Sequence, residues 1–286
     1  MAKKLQITSA WTTLEDRPVT KESLKQLFEN EVPCLRHPRF LSAEECQRMV
    51  KVVETTKFGH YDPELIFPLV GTIGITQFDY AKGKFQSLRH MNKYFSLVES
   101  ARSLQCRLIE EAGVDIVARV MALLGEVSGL PVRMAREDDR DYFAGILRVV
   151  EGNYIAPHAD YGPFDDPEHE IGAIVGQISW NVLLKQVPGG DTLIHDHQWQ
   201  GKPDNEKFQK TAPKYAYSPL IYQGRIPKVM PAIEGDLTFF NSRNIHEVKS
   251  VDEWNGKTEH DKRYTMSSFV GYLPEEARGP CLILWS

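Results

Sequence analysis

Two histidines and one aspartate carry the clearest chemistry in this sequence. His158 and Asp160 stand in Ala156-Pro-His-Ala-Asp-Tyr-Gly162, and His246 stands in Phe239-Phe-Asn-Ser-Arg-Asn-Ile-His-Glu-Val248. Residues two apart on an extended chain point to the same side. His158 and Asp160 can therefore grip one metal with no turn between them, and a third ligand must arrive from another strand. Two imidazoles and one carboxylate on one face of an Fe(II) ion leave three positions open, enough for a chelating cosubstrate and oxygen. The His-x-Asp spacing alone is a weak signal, because His60-Tyr61-Asp62 shares it. That second copy follows a helix end and lacks a partner strand, so it reads as a surface loop. His195 and His197 form a His-x-His pair on one strand face and are candidate neighbours of the metal or the cosubstrate. His37, His90, His169 and His260 are read as histidines without a role in the site.

Downstream, Arg263-Tyr-Thr-Met-Ser-Ser-Phe269 alternates like a strand, which puts Arg263, Thr265 and Ser267 on one face. A guanidinium fork matches a carboxylate in two hydrogen bonds. With a hydroxyl beside it, pointing inward next to a metal, it makes a carboxylate clamp. A buried arginine lacking an anion would be costly. Ser179 and Asn181 alternate on one face of a strand expected to line the same space. Arg148 lies on the strand leading into it and is a candidate for pairing either a substrate anion or a structural carboxylate. Tyr161 and Phe164 follow the ligand pair on an expected loop. Val70–Phe78, with its glycines, approaches from the other half of the chain. Trp180 and Trp199 are expected in the core.

The elements that must position these residues fall into two halves. Thr20 can cap a helix over Lys21–Asn30. Ser42, with Glu45 three residues on, forms a capping box. Behind it Cys46, Met49, Val50 and Val53 recur at helical spacing. Leu65–Tyr80 reads as a strand pair or an extended loop. Asn92–Gly113 and Val114–Gly129 read as two long amphipathic helices. From Tyr142 the pattern changes to short runs of β formers: Tyr142–Val150, Ile171–Leu184, Thr192–His197, Leu237–Phe240, Tyr264–Tyr272 and Leu282–Trp285. Turn signals at Glu151–Gly152, Pro188–Gly190 and Glu234–Gly235 separate them. This predicts a β-sandwich or barrel supported by a helical flank. Gly201–Pro231 is a polar insertion between strands, either a flap over the site or a surface excursion.

Composition narrows the remaining classes. Of 286 residues, 42% are hydrophobic and 26% charged, which is globular. The net charge of -5 argues against sequence-independent nucleic-acid binding, which needs a basic footprint. The four cysteines form no Cys-x-x-Cys pair, which argues against a zinc ribbon or a disulfide scaffold and fits a reducing compartment. No apolar stretch suggests a signal peptide or a membrane span, so the expected location is cytoplasmic. No strand, Gly-rich loop and helix follow one another as nucleotide-binding motifs require.

In chain order these motifs resemble the Fe(II)/2-oxoglutarate-dependent oxygenases. The likeness rests on His158 and Asp160, on Gly235-Asp236-Leu-Thr-Phe-Phe240 ahead of His246, and on Arg263 with Thr265. Ser128-Gly-Leu-Pro-Val132, Leu147-Arg-Val-Val-Glu-Gly152, Gly189-Gly190 and Leu284-Trp-Ser286 resemble one branch, the carrier-independent halogenases of hapalindole and welwitindolinone biosynthesis. That branch is similar in length and architecture to hydroxylases of N-substituted amino acids. The resemblance covers residues 125–286, and Phe40–Thr56 as the usual helix before the barrel.

It implies an α+β, mainly β fold in one domain spanning 1–286. A double-stranded β-helix, or jelly roll, would fill 136–286, with a helical flank over 1–135. It implies Fe(II) held by His158, Asp160 and His246. It further implies 2-oxoglutarate held by Arg263 and Thr265 beside Ser179 and Asn181, with O2 as the oxidant and ascorbate as an assay stimulant. Halogenases of this branch carry Gly where Asp160 stands, and the lost carboxylate opens the position that chloride takes. With Asp160 present, the implied reaction is hydroxylation of an unactivated C–H bond, with release of succinate and CO2. The expected partner is a small molecule of secondary metabolism, an amino-acid derivative or an alkaloid-like product, and neither nucleic acid nor membrane. A homodimer is compatible with this. Desaturation or oxidative cyclisation at the same iron, and a non-redox cupin-like metal protein, are the alternatives.

Overall fold

The helices start where their caps place them. Thr20 Oγ1 accepts the Ser23 N–H and Ser23 Oγ accepts the Thr20 N–H, which opens α1 (Lys21–Phe28). The short strand β1 (Cys34–His37) follows. Ser42 and Glu45 make the same reciprocal pair at 3.2 and 2.9 Å and open α2 (Ala43–Glu54), which buries Cys46, Met49, Val52 and Val53. Replacing an N-cap serine by alanine costs about 1 kcal/mol. Ser42→Ala should therefore lower the denaturant midpoint with an unchanged slope, and an unchanged midpoint would discount the cap. The computed structural model describes residues 9–61, 70–80, 88–150, 154–251, 262–274 and 279–286. Residues 65–69 of the expected strand pair, and the Glu151–Gly152 turn, lie outside them.

After β2 (Gly71–Ile73) come α3 (Leu88–Ala101), α4 (Ser103–Arg107) and α5 (Ile116–Ser128). The expected single helix over Asn92–Gly113 is thus divided. It breaks at Arg102, and α4 continues as a π-helical turn over Leu108–Ala112 that Gly113 ends at φ 70°. The reason is packing. Phe95 and Val98 face one apolar cluster, with Tyr94, Tyr142 and Trp285. Leu104 and Leu108 face another, with Val117, Leu147 and Met266. A straight helix would send one stripe to one core only. Asp115 caps α5 by accepting the Ala118 N–H at 2.9 Å.

The second half supplies β3 (Ile146–Val150), β4 (Ile155–His158), β5 (Gly176–Lys185), β6 (Thr192–Gln198), α6 (Lys202–Phe208), β7 (Lys228–Met230), β8 (Leu237–Phe240), β9 (Asn244–Val248), β10 (Arg263–Leu273) and β11 (Cys281–Trp285). Two expected runs are trimmed. Tyr142–Val150 is a continuous strand only from Ile146, and Ile171–Leu184 opens with a 3-10 turn before extending at Gly176. The larger sheet runs β1-β8-β5-β10-β3-β2, with β11 also on β10, and the smaller runs β7-β6-β9-β4. These two sheets form the expected jelly roll beside its helical flank. Alternation divides each central strand. Ile178, Trp180, Val182 and Leu184 of β5 enter the core under the helices, as do Tyr264, Met266 and Val270 of β10. Gln177, Ser179 and Asn181, like Arg263, Thr265 and Phe269, turn the other way and line a cavity.

Trp180 is fully buried in the main core, and Trp199 is buried in a smaller cluster with Ala159, Tyr161, Tyr217 and Ile221. Tyr217 and Ile221 belong to the 201–231 insertion, which therefore packs on the segment carrying Asp160. No described helix is long and apolar enough to cross a membrane.

Candidate active site

His158 and His246 sit directly opposite each other on the antiparallel neighbours β4 and β9. Their ring centroids are 4.1 Å apart. Asp160 lies just past the end of β4, where its N–H donates to Ser242 O at 2.9 Å. That tie leaves Asp160 Oδ2 3.9 Å from His158 Nε2 and 3.7 Å from His246 Nε2. One ligand atom from each residue lies within 4.8 Å of the other two. Each imidazole is oriented from behind. His158 Nδ1 is 2.8 Å from Ala156 O, and His246 Nδ1 is 2.9 Å from Asn244 O. A carbonyl only accepts, so it assigns the proton to Nδ1 and leaves the Nε2 lone pair facing Asp160. Burial above all pushes the His246 pKa down to about 3, which keeps the ring neutral. Gln177 braces the loop by donating to Asp160 O (3.2 Å) and Ser242 Oγ (3.0 Å) and accepting the Gly162 N–H (2.7 Å). Two neutral imidazoles and a carboxylate on one side of a shared point suit a divalent iron with open positions opposite.

Arg263 and Thr265 face the same cavity, which measures about 140 Å³ and is also lined by Ser179 and Asn181. Arg263 is 8% exposed and Thr265 5%. Arg263 Nε and Thr265 Oγ1 are buried with no hydrogen-bond partner among the described residues. Burial pushes the Arg263 pKa down to about 10. A buried guanidinium N–H and a buried hydroxyl left unsatisfied are costly, and a carboxylate between them would satisfy both. The residues therefore fit the distal end of a dicarboxylate. Gly190 makes room for this clamp. At φ +79°, a Cβ there would stand 3.1 Å from Arg263 Cδ and 3.2 Å from Nε. Gly190→Ala should displace the guanidinium and weaken 2-oxoglutarate binding about tenfold, roughly 1.4 kcal/mol. Calorimetry reads this, and wild-type affinity would separate Gly190 from the clamp.

His195 and His197 lie elsewhere. His195 donates from Nε2 to Glu247 Oε1 at 3.0 Å and stacks on Tyr222 at 3.6 Å. His197 donates to Asp204 Oδ2 at 2.9 Å. Neither lines the cavity, which corrects their candidacy. Ile194 is the residue that pairs with His246, so His195 is one step off and points to the opposite face of the sheet. The Gly59–His60 segment pairs with Gly71–Thr72, so it does have a partner strand, contrary to expectation, and His60 is exposed there. Asp62 and His260 lie outside the described residues. His169 contacts Asp166.

Arg148 lines the cavity, donating from Nε to Tyr61 Oη at 3.1 Å and contacting the Ser267 hydroxyl. Tyr161, Val70 and Phe78 also line it. Phe164 does not. It sits on a helical turn (Gly162–Asp165) and points its ring edge at Trp199, 5.3 Å away. Phe240 of the Gly235–Phe240 motif lines the cavity, and so do Tyr61, Gln177 and Tyr215, which sequence reasoning missed. Gln177 was accessible to the alternation that selected Ser179 and Asn181. Tyr215 comes from the insertion, where no periodicity marks it; its ring lies 5.6 Å from His158.

Residues 10–278 match the family described as carrier-protein-independent halogenase WelO5. Over 229 residues the chain is 47% identical to Leucinostatins biosynthesis cluster protein S of Purpureocillium lilacinum, covering 79% of this chain and 89% of that one. Its fold is similar to that of an N-substituted L-amino acid dioxygenase from Burkholderia ambifaria AMMD, with a TM-score of 0.57 at 13% identity over 92% of this chain and 91% of that one. The same dioxygenase in complex with alpha-KG gives 0.56 at 13% identity, over 92% and 90%. Those two likenesses speak for the fold, while the family match spans nearly the whole chain. The chain belongs to the carrier-protein-independent halogenase WelO5 family, within the Fe(II)/2-oxoglutarate-dependent oxygenases.

Proposed function

We propose that this chain is an Fe(II)- and 2-oxoglutarate-dependent dioxygenase of the hydroxylase type, acting on a small molecule. The observation that carries this is Asp160, whose carboxylate faces both His158 Nε2 and His246 Nε2 within 4 Å. A carboxylate there takes the place a halide would need, so membership of a halogenase family does not by itself carry halogenation to this chain. The bound alpha-KG of the Burkholderia dioxygenase, on a similar fold, supports the same cosubstrate here.

His158, Asp160 and His246 would hold the iron. Arg263 and Thr265 would pair with the distal carboxylate of 2-oxoglutarate, beside Ser179 and Asn181. When bound, iron with 2-oxoglutarate and O2 supplies oxidation of an unactivated C–H bond, with succinate and CO2 released. The chain's own contribution is placement. The Ala156 and Asn244 carbonyls hold both imidazoles in the ligand tautomer. Gln177 holds the Asp160 loop. Val70, Phe240, Phe269 and Trp285 give the cavity apolar walls. The substrate class we favour is an amino-acid derivative or an alkaloid-like natural product.

Succinate formation from 2-oxoglutarate, with Fe(II), ascorbate and O2, tests the reading. No turnover across a broad substrate panel, together with no calorimetric binding of 2-oxoglutarate, would overturn it. Removing one partner of a buried charge pair costs about 2–5 kcal/mol. Arg263→Gln should therefore weaken 2-oxoglutarate binding about a hundredfold, roughly 2.7 kcal/mol. A change of less than about threefold would move the distal carboxylate elsewhere.

A further inference from the structure

The iron cavity is small for its task. At about 140 Å³ it must take the cosubstrate as well, whereas pockets enclosing a drug-sized ligand measure about 300–1,000 Å³. A groove of about 1030 Å³ adjoins it, and Phe78, Ala159, Asp165 and Tyr215 line both. One wall of the groove is the turn that follows Asp160 and carries Phe164. The other is Trp199 with the insertion, from Gly201 to Tyr217. The two walls are closely fitted: a Cβ on Gly201 would stand 3.1 Å from the Phe164 ring. Phe164 is 41% exposed, large for an aromatic ring, and that exposed surface lies in the groove.

Charge is distributed unevenly along it. Lys202, Lys210 and Lys214 line the groove against one carboxylate, Asp165. Asp165 lies at the inner end shared with the iron cavity and accepts the Tyr161 N–H. Lys202 also reaches Glu206, which is not part of the lining, at 3.7 Å. The lining is therefore net cationic, with Phe164 and Trp199 as its aromatic surface.

We infer that this groove is a distal substrate subsite. It takes an elongated small molecule whose oxidised end enters the iron cavity, whose aromatic or acyl body lies along Phe164 and Trp199, and whose anionic end reaches Lys210 and Lys214. The inference rests on the dioxygenase reading, since it assigns the inner cavity to iron and 2-oxoglutarate.

Two dyes with one aromatic body test it on the full chain: 8-anilinonaphthalene-1-sulfonate, which is an anion, and N-phenyl-1-naphthylamine, which is neutral. Fluorescence titration in low salt, with Mn(II) and 2-oxoglutarate present, should show the anion binding about tenfold tighter. The combined Lys202→Ala, Lys210→Ala and Lys214→Ala variant should abolish that advantage, and added salt should erode it in the wild type. Phe164→Ala should weaken both dyes about fivefold, and Lys25→Ala, on the exposed side of α1, should change neither. Dyes that fail to bind, that bind equally well, that ignore the three lysines, or that 2-oxoglutarate displaces completely would overturn the subsite. The two readings fail separately. Calorimetric 2-oxoglutarate binding, measured on each variant, reports the dioxygenase site and its folding, while the dyes report the groove.

Discussion

His246→Ala should lose iron binding and lower succinate formation more than about a hundredfold. Losing an outer partner of a metal ligand costs about 10–100-fold, so losing the ligand itself exceeds that range. The effect follows from geometry. His158 and Asp160 come from one short segment and would supply two of the three donors. His246 comes from the neighbouring strand β9 and would complete the same face. Without it the remaining pair is a two-point chelate with no third donor on the same face. The ring is 5% exposed and packs on Phe240 at a centroid distance of 4.8 Å, so alanine leaves a small void but no broken hydrogen-bond ladder. His60→Ala is the matched control. It removes the other His-x-Asp histidine, which is exposed on a strand edge, and should leave both measurements at wild-type values. Iron affinity under nitrogen and succinate release under air check both variants. Wild-type iron affinity in His246→Ala would overturn the ligand assignment.

Asp160→Gly should abolish formation of hydroxylated product, by more than about a hundredfold, and weaken iron binding by about 10–100-fold. The carboxylate is the one anionic donor of the three, so the variant asks two neutral imidazoles to hold a dication. The backbone need not move, because the tie from the Asp160 N–H to Ser242 O survives in glycine. Gln177 likewise holds the Asp160 carbonyl rather than its side chain. Loss of product with an intact melting transition would therefore report the carboxylate and not the fold. Hydroxylation at the wild-type rate in this variant would mean that Asp160 is no ligand. Adding chloride to it tests whether the vacated position accepts a halide.

Much of this site was legible one strand at a time. Period-two alternation is local covalent geometry, so Arg263 with Thr265, and Ser179 with Asn181, were assigned to shared faces before any strand was paired. The same alternation would have added Gln177. Caps were legible for the same reason, since Thr20 with Ser23 and Ser42 with Glu45 act within one turn. What could not be read was which face meets which neighbour. His195 and His197 share a strand face as good as any, yet the pairing of Ile194 with His246 turns His195 away from His158, Asp160 and His246, onto Glu247 and Tyr222. Tyr61 and Tyr215 reach the cavity from segments with no periodic pattern. The expected helix over Asn92–Gly113 divides because its two halves face different cores. Sequence by itself determined the types and spacing of the candidate ligands and which residues share a strand face. Tertiary structure alone decided register, the break at Arg102 and the closure of the insertion over the Asp160 loop. Those depend on packing between residues far apart in the chain, which no local spacing encodes.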